Sequence, residues 1–306
     1  MKKLFIIILV ILLLGGCGSP AAESRGGITF TDDLGRTVTV ENPQRVAALL
    51  GSYADVWYLA GGTVCASADD AWDDFDLPMP ADAVNLGNTK KLSLENLLAA
   101  NPDFVLASTN TPQHLEWQAA LENAGIAVAY FDVSDFEDYL RMLEICCQIT
   151  GKPENFQRYG TEVQAQIQEI LNRHTDEQPQ TVLVMRASAA SIRAKNSGGT
   201  VLGTMLRDLG CVNIADSDTG LLENLSVESI LLQNPDHIFL IQTGDDMDAV
   251  RTNVEALFRE NPLWQELDAV ENGRVWYMEK RLFNLKPNAL WAEAYEKLEE
   301  ILYGTS

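Results

Sequence analysis

The chain has 306 residues, 46% of them apolar and 22% charged, which fits two globular domains and excludes a disordered, collagenous or disulfide-scaffold chain. Lysine and arginine number 22 against 44 aspartates and glutamates, a net charge of −22. Such a surface repels nucleic acid, and it repels an anionic membrane as well.

Lys2 and Lys3 precede an unbroken apolar run from Leu4 to Leu14, followed by Gly15-Gly16-Cys17. As a helix this run spans about 16 Å, roughly half a bilayer core, so it reads as an export signal rather than a membrane span. A cysteine directly after Leu-Gly-Gly resembles the bacterial lipoprotein box. Residues 1–16 are then a lipoprotein signal peptide, Cys17 the lipidated mature N-terminus, and 17–27 a lipid-anchored tether. An ordinary signal peptide cut at a small residue is the alternative. Two acyl chains hold a protein on a membrane that its own charge would leave. Membrane contact is expected through the lipid anchor only, on the extracytoplasmic face of the bacterial cell membrane.

Ile28 to Val40 alternates around Asp33-Leu-Gly35 and predicts a β-hairpin. Val46–Leu50 is a strand, followed by a turn at Gly51-Ser52, a helix through Ala60 and a Gly61-Gly62 stop. Further apolar strands are expected at Val64–Ala66, Phe104–Ala107 and Ala127–Phe131, with helices between them. This β-α-β-α order favours a parallel sheet. A helix is predicted over Ser134–Thr150 and a second, long and polar-faced, over Pro153–His174. A new series opens at Thr181–Met185, with strands near Phe239–Ile241 and Val275–Met278 and a final amphipathic helix over Leu290–Leu302. The chain thus divides into an N-terminal α/β lobe (28–152), a connector helix (153–178) and a C-terminal α/β lobe (179–306).

One segment occurs twice. Leu92-Ser-Leu-Glu95-Asn-Leu-Leu-Ala-Ala-Asn-Pro-Asp103 matches Leu225-Ser-Val-Glu228-Ser-Ile-Leu-Leu-Gln-Asn-Pro-Asp236 at seven of twelve positions. Each copy reads as a serine N-cap, an acidic first turn, a short helix, an Asn-Pro-Asp turn and a strand. Capping chemistry alone accounts for Ser and Glu, but not for the matched place of the two copies in their lobes.

Catalytic signatures are missing: there is no Walker A loop, G-x-G-x-x-G, H-E-x-x-H or G-x-S-x-G. His114, His174 and His237 are scattered, which disfavours a zinc or manganese site and a nucleophile–base pair. Asp216-Ser-Asp218-Thr-Gly220 lacks the ligands a calcium loop needs. Cys65, Cys146, Cys147 and Cys211 form no C-x-x-C and read as small buried hydrophobes. No catalytic residue and no metal site are assigned.

The hairpin Ile28-Thr-Phe-Thr-Asp-Asp-Leu-Gly35-Arg36, Pro43-Gln-Arg45-Val46, the repeated Glu-bearing segments, the connector helix and Gly273-Arg-Val-Trp276 together resemble the substrate-binding lipoproteins of iron–siderophore, cobalamin and haem ABC importers. The resemblance implies two Rossmann-like α/β lobes with mostly parallel sheets joined by one long rigid helix, with the ligand between them. It implies a monomeric receptor without enzymatic activity or cofactor, which passes a small metal chelate to an ABC permease dimer and its ATPase. A ferric siderophore or similar iron chelate is the expected ligand; haem or cobalamin is the alternative, and a secreted hydrolase is disfavoured. The resemblance also places Glu95 and Glu228 as permease-docking residues, one per lobe.

Open parallel sheets bind ligands beyond the carboxyl ends of their strands. Those ends carry Tyr53 and Trp72 in the first lobe, and Arg186, Arg193, Lys195, Arg281 and Asn284 in the second, with Lys280 and Lys286 nearby. In so acidic a chain this concentration of bases predicts a cleft for anionic oxygens, which arginine binds by forked donors. Core packing is the competing account for Tyr53, Trp57 and Trp72. Pairing with local acids such as Glu279 is the competing account for the bases. Tyr53 is also the candidate axial ligand if iron arrives in haem.

Overall fold

The computed structural model describes residues 27–175, 177–244 and 246–304, so the signal segment, Cys17 and most of the tether lie outside the described residues. The hairpin forms as the alternation predicts, β1 (Ile28–Thr31) antiparallel to β2 (Thr37–Val40), with Gly35 at φ +76° in its turn. The buried Asp32 carboxylate organises that turn. It accepts from the backbone N–H of Leu34, Arg36 and Tyr130, and from the Arg36 guanidinium at 2.7 and 3.0 Å. The Asp-Asp-Leu-Gly-Arg segment is therefore a clasp that fixes the hairpin to the first sheet.

That sheet contains β3 (Val46–Ala48), β4 (Val64–Ser67), β5 (Val84–Asn85), β6 (Phe104–Ser108) and β7 (Ala127–Phe131), all parallel, in the order β5-β4-β3-β6-β7. The second sheet contains β8 (Thr181–Ala187), β9 (Ile192–Lys195), β10 (Val212–Asn213), β11 (His237–Gln242) and β12 (Val275–Met278). Four of its strands run parallel in the order β10-β8-β11-β12, and β9 turns back antiparallel onto the end of β8. Burial on both faces explains why β6 and β11 read as nearly unbroken apolar runs.

The repeat has a structural cause. Ser93 and Ser226 cap their helices by accepting from the N–H of Asn96 and Ser229. Asn101 and Asn234 end them at φ 49° and 39°, a region that asparagine tolerates better than most residues. Asp103 then accepts the N–H groups of Gln44 and Arg45 at the entry to β3, as Asp236 accepts that of Thr181 at the entry to β8. Each copy thus ties its own strand to the neighbouring one.

The connector is helical from Pro153 to Arg173 but is not one regular helix. Residues Gln157–Thr161 form a π turn between α-helical Pro153–Phe156 and Glu162–Arg173. Such a turn frees a backbone carbonyl, and here the Tyr139 hydroxyl donates to the Tyr159 carbonyl at 2.8 Å. At its far end Arg173 grips Glu299 with two bonds of 2.8 and 2.6 Å, and His174 stacks on Tyr303. The connector is thereby fastened to the last helix, Trp291–Tyr303.

One apolar cluster runs through both lobes. It joins Val46, Phe104 and Leu106 of the first sheet to Tyr139 and Leu143 of the helix Phe136–Thr150, then to Ile167 of the connector and Trp291 of the last helix. From there it reaches Val184, Phe239 and Ile241 of the second sheet. Trp291, fully buried, meets Phe136 edge-on at 5.8 Å. Both lobes are therefore expected to unfold in a single calorimetric transition. Trp291→Ala should lower the stability of the whole by about 3–5 kcal/mol without splitting it; two resolved transitions in the unaltered protein would contradict the shared core.

Candidate functional site

The carboxyl ends of both sheets face the same cleft. On the first lobe they lead into Leu50–Tyr53, Asp69–Phe75, Thr109–Thr111 and Asp132; on the second, into Ser188, Thr243 and Glu279–Arg281. Two cavities open at these ends. One of about 640 Å³ is lined by Leu50, Lys90, Asn110, Thr111 and Gln113. The other, about 610 Å³, is lined by Asp73 and Asp74 of one lobe and Gln242, Tyr277, Glu279 and Lys280 of the other. A further cavity of about 330 Å³, beside Ile28, Val46, Trp57 and Lys152, lies at the opposite end of the first sheet and takes no part in the cleft.

Arg186 is the penultimate residue of β8 and Arg193 stands directly opposite it on β9, with Lys195 two residues further along the same face. Like charges placed directly across a strand pair repel. None of the three forms an ion pair among the described residues, and Arg186 Nε is buried without a hydrogen-bond partner. Burial, then the nearby Arg186 and Arg193, pull the Lys195 ammonium below the ordinary lysine range. Among the described residues, the patch therefore has three like charges on one sheet face and no acid in ion-pair contact.

Arg281 and Tyr53 are placed otherwise than a ligand contact requires. The Arg281 guanidinium donates to Asp55 at 3.1 Å and to the Lys286 and Pro287 carbonyls at 2.8 and 3.2 Å, and lies 4.2 Å over the Phe75 ring. Three of its N–H donors are engaged at the join between the lobes. Tyr53 is a core residue, 2% exposed, whose hydroxyl donates to the Phe131 carbonyl at 2.8 Å. Burial pushes its phenol far above the usual range, so no phenolate faces the cleft. Trp72 is half-buried on the short helix Asp70–Asp73 and packs against the large apolar cluster. Asn284 ends the helix Lys280–Phe283, half-buried beside the cleft. Trp57 is a core residue whose indole N–H donates to Thr63. Of the four described cysteines, three are buried and Cys65 is half-buried, and all are free thiols.

The acidic loop after β4 is structural rather than merely solvated. Lys280 Nζ bridges both Asp74 oxygens at 2.7 and 2.9 Å across the lobes. Asn288, fully buried at φ 56°, donates to the Ser52 carbonyl and to Asp55. These joins link residues more than two hundred positions apart, and no local sequence signal marks them. Asp70 accepts the Gly51 N–H at 2.8 Å, and a Cβ at Gly51 would meet the Ala71 nitrogen at 2.6 Å. Glycine is needed there because the loop backbone rests on it.

Glu95 and Glu228 are exposed in the first turns of their helices. The Ser93 N–H donates to Leu86, just beyond β5, which puts the Glu95 end of that helix on the cleft side of the lobe. The copy at Glu228 precedes β11 in the same way. Both carboxylates therefore lie on the lobe ends from which the cleft opens.

Two α/β lobes joined by a helix, with a basic face at the carboxyl end of the second sheet, define the architecture of a two-lobed binding protein. Residues 46–282 match the family described as periplasmic binding protein, and the chain belongs to that family, whose members are solute-binding proteins rather than enzymes. It is 24% identical to the putative ABC transporter substrate-binding lipoprotein YhfQ of Bacillus subtilis (strain 168), covering 96% of each chain. It is 23% identical to the Fe(3+)-citrate-binding protein YfmC of the same organism, over 89% of this chain and 86% of that one. Its fold is similar to that of Staphylococcus aureus SirA complexed with staphyloferrin B, with a TM-score of 0.69, 21% identity, and coverage of 90% of this chain and 98% of that one.

Burial raises the Asp70 carboxyl to about 6, against the Gly51 bond that favours its charge. The folded state therefore holds this proton more tightly than the unfolded chain does. The stability it contributes is present below about pH 4 and lost as pH rises through about 6. Asp70→Asn keeps an acceptor for Gly51 and removes the buried charge. Its denaturation free energy should match that of the unaltered protein near pH 4 and exceed it by about 1–3 kcal/mol above pH 7. A difference independent of pH would contradict this assignment.

Proposed function

We propose that this protein is a lipid-anchored extracytoplasmic receptor that captures an anionic ferric chelate, a siderophore or a carboxylate complex, and delivers it to an ABC importer. The observation that carries the reading is the Arg186–Arg193–Lys195 patch, three like charges on one sheet face that form no ion pair among the described residues. The relative named for ferric citrate bears on the same class of ligand. A haem reading would call on an axial ligand, and the hydroxyl of Tyr53, the residue suggested for it, is committed to Phe131. The anchor is placed at Cys17 because it directly follows the apolar run and Leu14-Gly15-Gly16; no helix among the described residues is long and apolar enough to cross a membrane.

Titration of the purified mature protein with ferric chelates of differing net charge, followed by tryptophan fluorescence, tests the ligand class. Anionic complexes should bind best, and Arg186→Ala with Arg193→Ala should weaken them at least about tenfold, the worth of one charge-assisted hydrogen bond or more. Undiminished affinity in that double variant would refute the basic-cleft reading.

The delivery step is tested in cells. Glu95→Arg with Glu228→Arg should fold, bind chelate normally and abolish uptake, because like charges brought together at the permease cost several kcal/mol. Normal uptake would reduce both residues to helix capping. Cys17→Ala should release the protein from the membrane or leave it unprocessed, and a processed form still retained would disprove the anchor.

A further inference from the structure

The short helix Pro112–Glu116 follows β6 at the cleft end of the first sheet. It is pinned to the sheet by His114, which is fully buried. The His114 Nδ1 accepts the Ser108 N–H at 3.1 Å, and its carbonyl accepts the Tyr130 hydroxyl at 2.7 Å. Gln113, the residue before it, is half-buried and lines the cavity of about 640 Å³ together with Asn110 and Thr111. Its carboxamide is already engaged: Oε1 accepts the Leu92 N–H at 3.0 Å, and Nε2 donates to the Leu92 carbonyl at 3.1 Å. A side chain here pairs with one residue's main chain in both directions, as a neighbouring strand would. Fixing so long a side chain costs rotamer freedom, and only the two bonds together offset that cost.

Leu92 stands next to a different part of the molecule. Its side chain is buried in the first lobe's own apolar cluster. The following residue, Ser93, donates its N–H to the Leu86 carbonyl at 2.8 Å and caps the Asn96 N–H at 3.1 Å. Glu95, the proposed docking residue, comes next in the first turn of the helix Leu94–Ala99. Gln113 therefore belongs both to the wall of the cleft and to the support of Glu95. The second copy of the repeat lacks this support. Among the described residues no side chain pairs with the main chain of Leu225, and the Ser226 N–H donates only to Asn224, two residues back. Hydrogen bonds at the wall of a cavity compete with water, and filling the cavity removes that competitor.

We propose that Gln113 is a positioning residue that ties occupancy of the cleft to the docking carboxylate of the first lobe. A chelate in the cavity excludes water from the two bonds to Leu92. Those bonds then hold for more of the time, and the capping turn that presents Glu95 is steadied. Glu228, without such a tie, meets the importer in the same way whether the cleft is full or empty. A loaded receptor thus differs from an empty one at one of its two contacts. This role rests on the chelate and docking readings and adds to them a reason for docking to depend on ligand.

Amide hydrogen exchange of the mature protein, with and without saturating ferric citrate, reads the tie directly. The matched caps serve as probe and control: the Asn96 N–H is held by Ser93 and the Ser229 N–H by Ser226. In the unaltered protein the chelate should slow exchange at Leu92 and Asn96 by about tenfold, the worth of one hydrogen bond, and slow Ser229 much less. Gln113→Met has the same length and neither bond; its Leu92 and Asn96 amides should exchange faster, and ferric citrate should no longer slow Asn96. Equal slowing of Asn96 and Ser229 in the unaltered protein would be general stabilisation, and no slowing of Asn96 would mean no tie; either result overturns the proposal. In cells supplied with saturating ferric citrate, Gln113→Met should lower iron uptake severalfold. Normal uptake in that variant, alongside lost uptake in the Glu95→Arg, Glu228→Arg variant, would overturn this proposal alone. Normal uptake in the double variant would remove the docking reading and the proposal with it. Failure of the unaltered protein to bind ferric citrate would overturn the proposal together with the carboxylate-complex form of the chelate reading.

Discussion

The constraint on which everything else depends is the apolar cluster that crosses from one lobe to the other. Two separate α/β lobes would normally each close a core of their own and hinge about the chain between them. Here the helix Phe136–Thr150, the connector and the last helix contribute to one buried body, with Trp291 fully buried in it. The lobes therefore have a fixed relation before any ligand arrives. Removing the cluster would cost the cleft its shape as well as its stability.

A cleft whose walls cannot move far must be complementary in advance. Its electrostatics show how this is arranged. The join between lobes uses opposite charges in contact: Asp74 with Lys280, and Asp55 with Arg281. The end of the second sheet carries like charges without ion pairs among the described residues: Arg186, Arg193 and Lys195. The first arrangement satisfies itself and the second does not. Bases paired across the lobes join them, and the bases on the end of the second sheet are the ones the proposed anionic ligand would pair. In a chain with twice as many acids as bases, three neighbouring bases without an ion pair among the described residues are a specific expense of charge.

Much of the fold was legible because it is written in local rules. The period-two alternation of Ile28–Val40 gave the hairpin, apolar runs gave the central strands, and Ser93 and Ser226 marked helix starts that the structure keeps. The repeat was visible, though its last residue was not understood: Asp103 and Asp236 serve strand entries that lie 55 or more residues away in sequence. β9 was missed because Ile-Arg-Ala-Lys is too short and too charged to read as a strand, and yet it is the pairing of β9 with β8 that sets Arg193 against Arg186. The site was legible as a concentration of bases, but not as a division of labour among them. Arg281 and Arg186 look alike in the sequence; only the position of Asp55, 226 residues from Arg281, separates a structural arginine from an open one. Tyr53 failed as a cleft residue for a related reason, since the start of its helix reveals neither which face is buried nor that Phe131 offers a carbonyl to it.

The central claim is that an anion completes the unpaired bases between the lobes. The most direct measurement is a crystal structure of the mature protein with an anionic ferric chelate bound. The account predicts a ligand oxyanion within hydrogen-bond distance of Arg186, at the carboxyl end of β8, with the Asp74–Lys280 and Asp55–Arg281 pairs intact. A chelate lodged instead in the cavity beside Trp57 and Lys152, or in the groove by His237 and Trp276 on the far side of the second sheet, with Arg186 still unpartnered, would contradict it.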